Sequence, residues 1–259
     1  MRIGIYVYAV GSVAAGIADL VWGEFEPAHQ PIQAWGDHIP GVTIFAYIVA
    51  IGLIAGGMAL LWRRSTGFGG ASLAVVYGIF VLFPLPRLYT APHFLGHHPG
   101  VYIGVLVSVC QQVILFVAAV MAWTSAKGPL SPLTIKLASI VFGLCAVDFG
   151  VAHLIAVQMV VPMIPKWMPL GATFWVVLTG IAFVLAGLAM ISGVFDVLAA
   201  RLLALMLLVF SAFVLGPLMF SSPHNHISWG ANAYNLAAVG AAWIVAECIA
   251  WVRALPQSQ

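Results

Sequence analysis

Eight histidines, His29, His38, His93, His97, His98, His153, His224 and His226, punctuate a chain in which only 6% of residues are charged. Imidazole is the commonest metal ligand and the side chain that titrates nearest neutral pH. Three of the eight stand in "APHFLGHHPG" (residues 91–100) and two in "SPHNHISWG" (residues 222–230). His93 and His97 are four apart, so one helical turn would put both on one face, although Pro92 and Gly96 disfavour that turn. His224 and His226 alternate and would converge only in an irregular loop. The expectation is a metal centre: His93, His97, His98, His153, His224 and His226 supply ligands for a transition metal (Fe, Cu or Zn) or for haem. Solvated loop histidines are the competing reading.

The carboxylates give a second chemistry. Asp19 and Asp148 fall inside apolar runs, where a charge is costly and marks function by default. Two matched acids can carry protons, or act as general acid and base. Glu24 and His153 each stand five residues beyond one of them. Five residues turn a helix by about 140°, so Asp19 and Glu24 share one face only with help from the helix end and otherwise serve different partners. Arg87, between two prolines and Tyr89, reads as a counter-ion for an acid or as a donor to an anionic cofactor. The segment "EFEPAHQPIQAWGDHIPG" (residues 24–41) reads as an interfacial lid, with Trp35 either over a cofactor or in the aromatic belt.

These residues must be positioned by membrane helices. The chain has 259 residues, is 63% hydrophobic and has a mean hydropathy of +1.11. Its apolar stretches lack the alternation of barrel strands, so an all-α polytopic membrane protein is expected. Eight spans can be drawn, at about 4–24, 42–62, 70–90, 101–123, 134–157, 172–193, 199–220 and 230–253. Arg2, Arg63, Arg64, Lys127, Lys136, Arg201 and Arg253 then share one side, against Arg87 and Lys166 on the other. The positive-inside rule puts both termini in the cytoplasm and every histidine at the extracytoplasmic end. A bacterial inner membrane suits this layout. A cleaved signal peptide is not expected, because the first apolar run continues into acidic residues. A net charge of +2 argues against a nucleic-acid partner.

The chain also repeats itself. "PRLYTAPH" (86–93) aligns with "PLMFSSPH" (217–224), and "GIADLVWGE" (16–24) with "CAVDFGVAH" (145–153). Asp19 thereby matches Asp148, and Glu24 matches His153. The expectation is two parallel four-helix repeats, 1–124 and 134–259, within one integrated membrane domain and related by a two-fold along the membrane normal. Cys110, Cys145 and Cys248 lack any C-x-x-C spacing and read as small core hydrophobes. Gln111, Gln112, Asn232 and Asn235 read as interhelical hydrogen-bonding residues. Gly52, Gly56, Gly57, Gly180, Gly187 and Gly240 read as close-packing positions.

Residues 149–191, "FGVAHLIAVQMVVPMIPKWMPLGATFWVVLTGIAFVLAGLAMI", carry a further pattern. His153 ends a helix, Pro162, Pro165, Trp167 and Pro169 follow, and Thr179-Gly180 enters a small-residue helix. In this the chain resembles the DoxX/DoxX-like family of four-helix membrane proteins, with the first half matching through duplication. The family's acid after that glycine is replaced here by Ala182 and Phe183. The resemblance implies quinone-coupled oxidation or redox stress, and partnership with a larger redox complex. Together these readings predict a membrane oxidoreductase, or the membrane subunit of one. It would act on a quinone or other apolar substrate at an extracytoplasmic His/carboxylate site. The alternatives are a cofactor-free acid/base enzyme on a lipid or isoprenoid, and a small-solute transporter.

Overall fold

The computed structural model describes residues 1–25 and 41–254. Trp35, His29 and His38, read above as lid and site residues, lie outside the described residues. The helices are α1 (Arg2–Trp22), α2 (Val42–Leu60), α3 (Thr66–Leu82), α4 (Arg87–Leu95), α5 (Pro99–Ser125), α6 (Pro132–Ile155), α7 (Val157–Val160), α8 (Ala172–Ser192), α9 (Asp196–Phe210), α10 (Gly216–Ser221) and α11 (His226–Ala254). Among the described residues there is no strand. Eight helical stretches are long and apolar enough to cross a bilayer, with α3–α4 and α9–α10 each counting as one. Such a set is compatible with an integral membrane protein.

The eight stretches fall where hydropathy places them, with one informative difference. The last begins at His226 rather than near residue 230. Hydropathy misses its first turn because His226 and Ser228 interrupt the apolar run there. Local bonds build that turn: Asn225 Oδ1 accepts from the Ile227 amide at 2.9 Å, and Trp229 Nε1 donates to the Pro223 carbonyl at 3.1 Å. His226 therefore stands on a helix, not in an irregular loop, while His224 is exposed beside it. Trp175 anchors the start of α8 in the same way, donating to the Pro169 carbonyl at 2.7 Å.

Most connections are short, which makes sequence neighbours antiparallel. The long helices pack in a closed order, α1–α2–α3–α5–α6–α8–α9–α11 and back to α1, and α11 also touches α5 and α6. Small residues set the closest contacts. A Cβ on Gly240 of α11 would stand 2.2 Å from the Tyr8 amide nitrogen of α1, and one on Gly11 2.3 Å from that of Ala237. The α1 and α11 backbones therefore touch directly, the packing that replaces hydrophobic driving force within lipid. Outward faces are the reverse. Ile44, Phe45, Ile48 and Ile51 of α2, and Leu198, Leu202 and Leu205 of α9, are all exposed.

Two polar contacts fix the ends of α11. At its start His226 meets Asp19, and at its end Arg253 meets Asp196 at 2.9 Å and the Gly193 carbonyl at 2.5 Å. Between α9 and α10 the chain makes a π-helical turn, Ser211–Leu215. Its cause is local, since Pro217 has no N–H to give the Phe213 carbonyl and its ring crowds that turn. Asn235 steadies the distortion, donating from Nδ2 to the Leu207 carbonyl at 2.7 Å and to Ser211 Oγ at 2.9 Å.

Candidate functional site

The first cluster forms where α1 ends. Asp19 occupies the last turn of α1 and is buried, and His226 opens α11 and is buried against it. His226 Nε2 lies 3.2 Å from Asp19 Oδ1, and His226 Nδ1 lies 3.5 Å from Glu24 Oε1. Trp22 stacks flat on the imidazole, ring centres 5.1 Å apart and planes 9° apart. The help that Glu24 needs from the helix end comes from Gly23. Its left-handed φ of 67° caps α1, with its amide donating to the Asp19 carbonyl, and swings Glu24 back over the ring that Asp19 touches.

Each ring nitrogen of His226 thus faces a carboxylate. Only the Nε2 contact with Asp19 is a hydrogen bond; Nδ1 makes none among the described residues, and a closer approach of Glu24 would complete a proton relay through the ring. Glu24 is more than half exposed and Asp19 nearly sealed, so the three groups lead from the surface inward. Gly23→Ala is expected to weaken this arrangement. Left-handed φ costs an L-residue about 1–2 kcal/mol, and the new Cβ would meet the Tyr47 hydroxyl at 2.8 Å. A thermal unfolding midpoint equal to wild type, in detergent, would contradict that expectation.

Below Asp19 a polar stripe continues on the same face of α1. Tyr8, Ser12 and Asp19 recur at spacings of four and seven, a pattern present in the sequence but inconspicuous because none of the three stands out alone. Ser12 Oγ and the Tyr77 hydroxyl of α3 are 3.2 Å apart, and the Tyr8 hydroxyl donates to the Leu115 carbonyl at 2.9 Å. One turn along α5, the Tyr234 hydroxyl of α11 donates to the Gln111 carbonyl at 2.5 Å. Gln112 is buried with neither amide atom hydrogen-bonded among the described residues.

The second feature is a partly open cavity of about 350 Å³ lined by α5, α6, α7, α8, α9 and α11. Phe149, Phe183, Phe210 and Leu207 contribute to its wall, with Val214 and Leu215 of the π-helical turn. His153 and Tyr234 bring polar atoms to it. His153 Nδ1 sits 2.8 Å from the Phe149 carbonyl. A carbonyl only accepts, so Nδ1 carries the hydrogen and Nε2 of the neutral ring is left as the base. Phe183 packs its ring 5.4 Å from that imidazole and 5.9 Å from Phe149. The aromatic rings leave the cavity mostly apolar around the His153 imidazole.

The remaining site candidates separate. His93, in the last turn of α4, bonds through Nδ1 to the Tyr89 carbonyl at 2.9 Å, and its ring centre is 5.8 Å from that of His97. The helix stops at Gly96, yet the two rings still meet. His97 Nδ1 bonds to the Tyr102 hydroxyl at 2.9 Å, and His98 is the exposed N-cap of α5. Arg87 opens α4, partly buried. Asp148 faces Cys110 rather than a histidine, so the matched acids Asp19 and Asp148 have different partners.

The expected six-histidine metal centre therefore does not assemble. Among the described residues no group of three or more His, Cys, Asp or Glu side chains is placed to hold a metal ion. The reason is topological: the histidines share helix ends, but those ends belong to different helix pairs, and both nitrogens of His226 face carboxylates. No family model, curated protein or solved structure matches this chain.

Proposed function

We propose that this chain is a membrane oxidoreductase, or the membrane subunit of one, that admits a quinone-class molecule from the bilayer into the cavity beside His153. The cavity carries the reading. Its volume suits a substituted ring, since ligand pockets run from about 300 to 1,000 Å³. Its wall is aromatic and aliphatic, as a lipid-soluble ring requires. Its one imidazole has its tautomer fixed, so Nε2 accepts a proton from a bound quinol hydroxyl and returns it to a bound quinone oxygen.

The surroundings support a two-fold membrane architecture. Each neighbour pair in the first four spans has a counterpart in the last four: α1–α2 with α6–α8, α2–α3 with α8–α9, α3–α5 with α9–α11, and α5–α6 with α11–α1. The α5–α11 contact pairs with itself, as a contact on a two-fold axis would. Four spans per unit leave both units entering from the same side. The exposed cations Arg63, Arg64, Lys127, Lys136 and Arg201 flank the opposite helix ends from the histidines, which favours a cytoplasmic side there and an extracytoplasmic site. The DoxX-like pattern of residues 149–191 agrees with a quinone partner, by analogy only.

Decylubiquinone binding to detergent-purified protein, read by tryptophan quenching, tests this. Saturable binding is expected. His153→Phe, which keeps ring bulk and removes the base, is expected to weaken it about fivefold, the worth of one hydrogen bond of about 1 kcal/mol. Absence of saturable binding, or equal affinity in the variant, would overturn the reading. A second reading rests on Asp19, His226 and Glu24: acid/base catalysis without a cofactor on a lipid. It predicts activity lost in Asp19→Asn while decylubiquinone binding is unchanged.

A further inference from the structure

The three cysteines look inert in sequence, but two of them stand together beside the cavity, within one helical turn of residues that line it. On α5, Cys110 falls between Val107 and Ile114 at helical spacing, and both of those line the cavity. On α6, Cys145 is one turn before Phe149, two before Ala152 and three before Ala156, all of them cavity-lining. Their depths match. Cys110 is eleven residues from the start of α5 and Cys145 ten from the end of α6, so both lie about 15–17 Å along their helices from the same end. Helices α5 and α6 pack directly on each other. The Cys110 thiol lies beside both the Cys145 thiol and the Asp148 carboxyl, and Asp148 Oδ2 is buried with no hydrogen-bond partner among the described residues. All three cysteines are free thiols.

Two adjacent thiols, a carboxylate and an apolar cavity form the parts of a dithiol redox centre. We propose that Cys110 and Cys145 are a redox-active pair that reduces a quinone held in the cavity, a step that rests on the quinone reading above. The chemistry balances without further reagents. Asp148 takes the Cys110 proton, and the thiolate is the reactive form. The S–H bonds of both cysteines break and one S–S bond forms, releasing two electrons and two protons. The quinone takes both electrons and, from Asp148 and through His153, both protons, so its two carbonyls become two hydroxyls. The reverse reaction oxidises a quinol and restores the thiols. Asp148 is thereby given a role different from that of Asp19, which the imidazole of His226 faces instead.

The test uses the full chain carrying Cys248→Ala, so that only the pair can react. The reduced protein is treated separately with diamide and with duroquinone, whose fully substituted ring offers no position for thiol addition. Intact mass and a digest report the disulfide, and absorbance reports quinol. Quenching of tryptophan by duroquinone reports occupancy of the cavity. The expected result is loss of two hydrogens with either oxidant, a linked Cys110–Cys145 peptide, and one quinol per disulfide. Cys110→Ser and Cys145→Ser each reduce quinol formation to the buffer rate, while Asp148→Asn slows it and leaves diamide oxidation intact. No disulfide with diamide would overturn the proposal. A disulfide with diamide but none with duroquinone that binds would overturn the coupling and leave the cavity reading standing. Failure of duroquinone to bind would overturn the cavity reading, and the quinone step with it.

Discussion

Gly240→Ala is expected to cost about 3 kcal/mol or more of stability, the upper end of overpacking penalties. The added Cβ would stand 2.2 Å from the Tyr8 nitrogen and 2.6 Å from its Cα, and both are backbone atoms. A side chain at that distance could rotate away, but a helix backbone can yield only by moving the whole helix. Separating α1 from α11 also draws Asp19 away from His226, so the damage extends to that end of the helix pair. Gly104→Ala is the control, because Gly104 is exposed on α5 and a Cβ there meets nothing within 4 Å. That change is expected to stabilise the helix by about 0.5–1 kcal/mol through propensity alone. The same chemical substitution thus has opposite signs at the two sites. Unfolding midpoints in detergent that move together would contradict the packing described.

The second large effect is electrostatic. His226→Ala removes the Nε2 that faces Asp19 at 3.2 Å inside the protein. Breaking a buried pair by removing one partner costs about 3–5 kcal/mol, because a charge stays behind without its counterpart. Asp19→Asn leaves a neutral amide of the same shape and is expected to cost less. In the double variant the amide that replaces the Asp19 carboxylate carries no charge to strand, so the two changes are expected to be non-additive by about 1–3 kcal/mol. Thermal unfolding of the four proteins measures that coupling. Additive losses would mean that the imidazole and the carboxylate do not act on each other.

Much of this is written in the sequence, and the rest is hidden for identifiable reasons. Eight apolar stretches are legible because lipid requires long runs of apolar residues. The importance of Asp19 is legible because a carboxylate inside such a run is costly. Its partner is not. His226 reads as a loop residue, since a first turn of mixed polarity carries no clear hydropathy signal, and 207 residues separate the two groups. Glu24 is out of reach at five residues from Asp19 until the left-handed Gly23 turns the chain back. Asn235 is legible as an interhelical hydrogen-bonding residue, whereas Gln112 has no such bond among the described residues. The cavity leaves no local mark, because residues from six helices share it and most are ordinary aliphatic or aromatic side chains. The cysteine pair is hidden because Cys110 and Cys145 are 35 residues apart and become neighbours only once α5 and α6 pack. The histidines mislead in the other direction: lying at the same ends of the helices, they suggest a common site that the packing of those helices does not make.

The central claim is that the space beside His153 receives a quinone ring. Photolabelling with an azido-ubiquinone in membranes containing the full chain, followed by peptide mapping, tests it most directly. The account predicts labels on α6, α8 and α11 at or next to Phe149, His153, Phe183 and Tyr234. Excess decylubiquinone is expected to displace them, and Ala152→Phe, which fills the cavity, to abolish them. Labels confined to outward-facing residues such as Ile48 or Leu202, or labels that decylubiquinone does not displace, would contradict it.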